Sequence, residues 1–147
     1  MHDLKYHNIR ALAVPLAGLM RDYLRTDPIQ ADVIMPVPLH PRRLRERGYN
    51  QSALLAREIA RLTGMEPEET ILVRGRYLLP QARTGSVEER RRNVAGAFSL
   101  SAQGVQGKSV LVIDDVSTSG ATLNECASVL KAGGARAVWG LTLAREV

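Results

Sequence analysis

Two adjacent acids, Asp114 and Asp115, stand at the end of an apolar run, Val110-Leu111-Val112-Ile113. Small, hydroxyl-rich residues follow: Ser117, Thr118, Ser119, Gly120, Ala121 and Thr122. Carboxylates accept hydrogen bonds from vicinal hydroxyls and tolerate a nearby Mg²⁺. The amides of Thr118 to Thr122 open a helix, so they lack helical partners and face its positive end. Such a position takes a phosphate dianion. Acids for hydroxyls beside amides for a phosphate are what holding a sugar phosphate requires. A plain strand end, turn and capped helix would account for the hydroxyls but not for the paired acids.

The neighbouring elements must present these groups. Val110 to Ile113 is mostly β-branched and free of polar residues, which predicts a parallel strand covered on both faces. Ligands of open α/β sheets bind beyond the carboxyl ends of the strands, where the two acids sit. Successive strand residues point to opposite faces, so both acids serve one ligand only if the chain bends there. Thr122-Leu123-Asn124-Glu125 has the pattern of a capping box for the helix that follows. Leu123, Cys126, Ala127 and Leu130 form its inner face, and Gly133-Gly134 closes it.

Elsewhere, Ile9, Ala13, Leu16, Met20 and Tyr23 recur at helical spacing over 9–25. Pro15 predicts a start or a kink there, and Asp27-Pro28 a stop. Ala31 to Val37 reads as a strand cut short by Pro36 and Pro38. Residues 51–63 read as a helix with Leu55, Ile59 and Leu62 on one face, ending at Thr63-Gly64. Short strands are predicted at Ile71 to Val73, Phe98 to Leu100 and Ala137 to Leu143. Residues 76–97 read as a long, arginine-rich surface loop with a helical turn at Val87 to Arg92. Strands alternating with helices imply one α/β domain over 1–147, a parallel sheet with helices on both faces.

Arginine is clustered. Arg42, Arg43, Arg45 and Arg47 fall within six residues after the first strand, at the same sheet edge as Asp114. Arg47-Gly48 just before a helix suits a pyrophosphate group, which needs cations or amides around it. A solvated basic turn or a patch for a nucleic-acid backbone stays open as the alternative. His40 beside Pro41 reads as a surface residue. The second segment, Gln81 to Phe98, includes Arg90, Arg91 and Arg92 and suits a flexible lid that excludes water from a reactive sugar. Gly107-Lys108-Ser109 resembles the end of a Walker A loop, but position 102 is Ala, and the triplet precedes a strand.

The chain has 147 residues and a formal net charge of +5, which favours anionic partners, a phosphorylated metabolite or nucleic acid. Cys126 is the single cysteine, which excludes an internal disulfide and a cysteine zinc cluster. On the apolar face of its helix it reads as core. The chain carries no signal-peptide pattern and no run long enough to span a bilayer, so a cytoplasmic setting is expected.

The run 110–122 resembles the phosphoribosyl-pyrophosphate (PRPP) signature of type I phosphoribosyltransferases. Pro36-Val37-Pro38-Leu39-His40, Arg47-Gly48-Tyr49-Asn50-Gln51 and Gln81…Arg90…Asn93…Phe98, with Lys5-Tyr6, extend the likeness over nearly the whole chain to the ComF family of competence-associated, phosphoribosyltransferase-like proteins. The resemblance implies a type I phosphoribosyltransferase fold. It implies that Asp114 and Asp115 bind the ribose 2- and 3-hydroxyls and that Thr118, Ser119, Gly120, Ala121 and Thr122 wrap the 5-phosphate. Residues near Arg47 and Gly48 would form the pyrophosphate loop, and residues 76–97, with Gln81 and Arg90, the flexible loop. Mg²⁺ would arrive with PRPP, held mainly by ligand and water and near the two acids. The implied reaction passes the phosphoribosyl group to an unknown nitrogen acceptor and releases pyrophosphate; a non-catalytic PRPP sensor or a DNA-uptake accessory is the rival. By family analogy a homodimer is expected. The chain departs from the family in lacking the usual cysteine-rich zinc module, as a short form or a fragment would, and in having Leu78 where threonine is frequent.

Overall fold

The computed structural model describes residues 2–75, 96–117 and 120–145. Leu78, Gln81, Val87 to Arg92, Asn93, Thr118 and Ser119, for which the sequence raised expectations, lie outside them. Four parallel strands form the main sheet in the order β2-β1-β5-β6: β1 is Val33–Pro36, β2 Glu66–Pro67, β5 Ser109–Ser117 and β6 Ala137–Arg145. Helices α1 (His2–Thr26) and α3 (Gln51–Thr63) cover one face, and α4 (Ala121–Ala132) the other.

Strand alternation divides the core. Ile34, Leu111, Ile113 and Leu141 pack under Ala13, Ala17, Met20, Leu55 and Ile59 of α1 and α3. Val33, Met35, Val37, Val110 and Val112 point the other way, onto Cys126 and Leu130 of α4. Burial on both faces is why Val110 to Ile113 could be read as an unbroken apolar run.

The structure corrects several expectations. Helix α1 does not start at Pro15 but runs through it, and it ends at Thr26, just before Asp27-Pro28. Pro15 and Ala11 are both exposed, so the carbonyl that loses its helical partner faces water. A seven-residue helix, α2 (Pro41–Arg47), occupies the basic segment, for which no helix was expected. Its ends were signalled: Pro41 sits at the first turn, and Gly48 takes φ +89° and donates its N–H to the Leu44 carbonyl at 2.7 Å. Strands β3 (Leu72–Arg74) and β4 (Phe98–Leu100) pair antiparallel in a separate two-stranded sheet. Leu72 and Phe98 face the core while Ser99 is exposed, a one-sided burial that antiparallel ladders accept.

Candidate functional site

The carboxyl ends of β1 and β5 lie side by side, with Pro36 opposite Ile113. Each leads directly into the segment that the sequence analysis singled out. The chain after β1 passes Pro38 and His40 into α2, where His40 Nδ1 accepts from the Arg42 N–H at 3.0 Å. His40 therefore caps a helix. Asn50 then joins two elements of the site: its Oδ1 accepts from the Ser52 N–H, and its Nδ2 donates to the Val37 carbonyl, both at 3.1 Å. One side chain thus caps α3 and ties it to the end of β1.

β5 does not stop at its apolar run. It continues through both acids to Ser117, and Asp114 stands opposite Thr142 of β6. Asp114 is 9% exposed and Asp115 half-buried. No sharp turn is needed to bring them to one ligand, because both line one cleft of about 170 Å³. The Asp115 N–H donates to Asp114 Oδ1 at 3.0 Å, and Ser52 Oγ donates to the same oxygen at 3.5 Å. The Val116 N–H donates to Asp115 Oδ1 at 2.9 Å. Burial, reinforced by the Asp115 carboxyl alongside, pushes Asp114 up to about 7. Below them Cys126 is fully buried, and its thiol is pushed up to about 12, first by burial and then by the charge of Asp114. It is core, as expected.

The capping box does not form. α4 is entered through Gly120 at φ +79°, with no side-chain cap. Glu125 instead accepts the Gly96 N–H at 3.2 Å, tying α4 to the residues before β4. Thr122 is left to line the cleft with the acids, and Gly120 and Ala121 hold the helix N-terminus beside it. Thr118 and Ser119 lie outside the described residues, as do Gln81 and Arg90. Arg47 lines the same cleft as the acids; Gly48 lines an adjoining cleft of about 340 Å³. The Gly107-Lys108-Ser109 triplet lies at the opposite, amino end of β5, after a turn, far from any helix start.

Arg74 and Ser52 were missed. Arg74, at the end of β3, lines both clefts. A lone arginine after two apolar residues carries no sequence signal, and only the β3–β4 pairing brings it to the acids. Among the described residues no group of three or more His, Cys, Asp or Glu could hold a metal, and no helix is long and apolar enough to cross a membrane.

The parallel four-stranded sheet with helices on both faces is a type I phosphoribosyltransferase fold, and solved structures agree. Glutamine PRPP amidotransferase from B. subtilis superposes with a TM-score of 0.59 at 23% identity, over 89% of this chain and 26% of that one. Purine phosphoribosyltransferase from Pyrococcus horikoshii gives 0.55 at 18% identity, over 89% and 70%. At these identities the likeness is one of fold.

Within that fold class the chain is similar in sequence to ComF-type competence proteins. It is 37% identical over 140 residues to competence protein F of Haemophilus influenzae, covering 92% of this chain and 61% of that protein. It is 35% identical over 143 residues to the DNA utilization protein YhgH of Escherichia coli K12, covering 94% and 62%. Competence protein ComFC of Bacillus subtilis matches at 32% over 115 residues, 78% of this chain and 45% of that one. The chain therefore spans about three fifths of the length of the first two. No family model matches it.

Proposed function

We propose that the chain binds PRPP together with Mg²⁺ and transfers its phosphoribosyl group to a nitrogen acceptor. One observation carries this reading: two carboxylates, a threonine beside a helix N-terminus and two arginines converge on a single cleft at the carboxyl edge of a parallel sheet. Asp114 and Asp115 orient the ribose through its 2- and 3-hydroxyls. Thr118, Ser119, Gly120, Ala121 and Thr122 anchor the 5-phosphate at the start of α4. In the reaction the C1–O bond to the diphosphate breaks and its electron pair leaves on the diphosphate. The acceptor's lone pair forms the C1–N bond, and its N–H proton passes to water. The carboxylates lie where positive charge grows on the sugar and stabilise it electrostatically.

The donor set suits a hard cation. Two carboxylates share the cleft with no third His, Cys, Asp or Glu beside them among the described residues, so Mg²⁺ would be held mainly by ligand oxygens and water. When bound, Mg²⁺ neutralises the leaving diphosphate.

Calorimetry with PRPP and Mg²⁺ tests the site. Saturable, Mg²⁺-dependent binding is expected, and Asp114→Asn/Asp115→Asn together should weaken it by at least about 10-fold. Unchanged affinity in the double variant removes the site assignment. Pyrophosphate release across a panel of nucleobases and amines then identifies the acceptor.

A second reading is favoured by the names of the relatives and by the exposed arginines of α2: a non-catalytic PRPP sensor or a DNA-uptake accessory. It keeps the cleft as a ligand site and adds a basic surface for nucleic acid.

A further inference from the structure

The two edges of the main sheet are finished differently. β2 closes one edge with Glu66–Pro67 alone, and both residues are exposed. A very short strand with a charge and a proline discourages further pairing. β6 closes the other edge with nine residues, and among the described residues nothing pairs with its outer side. From Ala137 to Ala144 it carries neither charge nor proline. Its outward N–H and C=O groups run along roughly 30 Å of open edge, a template for another strand. Beside that edge lies an apolar groove. Strand alternation sends Val138 and Gly140 toward α4, where a Cβ on Gly140 would meet Leu123 at 3.2 Å. Trp139, Leu141 and Leu143 face the α1 layer and form a groove of about 560 Å³ with Leu19, Met20 and Tyr23. Trp139, Leu19 and Tyr23 are 37%, 63% and 51% exposed. Helix α1 has two apolar stripes where a surface helix needs one. Ala13, Ala17, Met20 and Leu24 are buried in the core. Leu12, Leu16, Leu19 and Tyr23 stand one position earlier in each case, and all but the half-buried Leu16 are exposed.

An occupant must bring a strand for the edge and an apolar helix for the groove, side by side. A second copy of the chain brings both. A two-fold axis perpendicular to the sheet lays β6 antiparallel to its copy and keeps the two α1 layers on the same side. The exposed stripes then meet across the seam. The stripe is apolar read in either direction, so antiparallel copies set apolar residues against apolar residues, as an isologous contact requires. One sheet layer and one helix layer make a strip about 30 Å long and about 20 Å deep, roughly 600 Å² on each copy. The total of about 1,200 Å² reaches the size of a specific interface. We propose that the chain forms a two-fold dimer through β6 and α1, joining two four-stranded sheets into one continuous sheet. Antiparallel pairing puts the two acid clefts at opposite ends of the seam, so each stays open and the dimer is independent of what the cleft binds.

Sedimentation velocity on the full chain tests the dimer, and hydrogen exchange tests the strand pairing. At about 50 µM the wild type is expected to sediment as a dimer. Leu19→Glu/Tyr23→Glu places charge on two exposed helix positions that glutamate suits, so the helix content by circular dichroism should hold. The dimer should weaken by at least about 100-fold, because the charges would be buried unpaired in the seam. Trp139→Lys should weaken it from the strand side. Amide exchange over residues 137–145 should be slow in the wild-type dimer and faster in Leu19→Glu/Tyr23→Glu. A wild type that is monomeric at about 50 µM overturns the dimer, whatever other molecule the groove takes. A dimer that survives both variants unchanged overturns this face as its seat. Equal exchange over 137–145 in the wild-type dimer and the monomeric variant overturns the pairing of β6 with its copy.

Discussion

Asp114 is a buried acid beside a second acid, directly after the four apolar residues Val110 to Ile113 of β5. Its carboxyl rises from 3.8 to about 7 because burial and Asp115 disfavour its charge. The consequence for stability has a definite sign. Between about pH 4 and pH 7 the folded chain keeps a proton that the unfolded chain has released. Stability is therefore full below about pH 4 and falls as the pH rises through 7. The loss from this one group is at most about 4 kcal/mol. Urea unfolding in chelator-treated buffer at pH 5 and pH 8 should show the wild type less stable at pH 8. Asp114→Asn should flatten that difference and be the more stable of the two at pH 8. A wild type equally stable at both pH values would contradict the burial argument.

At the scale of elements, the site is held by joints between secondary structures. Asn50 is the clearest, since it caps α3 and ties that helix to the Val37 carbonyl at the end of β1. Asn50→Ala loses both bonds and is expected to cost about 2 kcal/mol. Asn50→Asp keeps the cap acceptor, loses the donor, and should cost less. Chemical denaturation of the two variants gives the ranking, and an Asn50→Asp chain as stable as the wild type would mean that the link to Val37 carries nothing. Glu125 makes a second joint, from α4 to Gly96. A carboxylate that reads locally as half of a capping box is used across 29 residues of chain. Propensity within one turn could not have foreseen that use. Nor could periodicity have found α2, which buries none of its residues and so has no apolar face to repeat.

At the scale of the molecule, the chain has a net charge of +5, and four arginines offset by Glu46 alone cluster where it leaves β1. Arg42 and Arg45 are exposed on α2, while Arg47 at its end lines the cleft with the acid pair. If that surface serves nucleic acid, fluorescence anisotropy with labelled single-stranded DNA should show affinity falling with salt. Arg42→Ala/Arg45→Ala should reduce the slope of log affinity against log salt by about 1.4. Asp114→Asn/Asp115→Asn should leave it unchanged. Absence of saturable DNA binding at low salt would leave the metabolite cleft as the sole activity of the two proposed.

Local order in the chain was enough for much of this protein. The β-branched run before Asp114, the apolar faces of α3 and α4 and the glycines that end them are patterns among near neighbours. Strand and helix geometry turns such patterns directly into burial. The same reasoning placed both acids at the carboxyl edge of the sheet. Packing between distant segments decided the remainder. It carried β5 through the acids, set β3 against β4, and brought Arg74 and Ser52 to the cleft. Pairing partners far apart along the chain leave no periodicity within either segment, so those contacts exist only once the layers close.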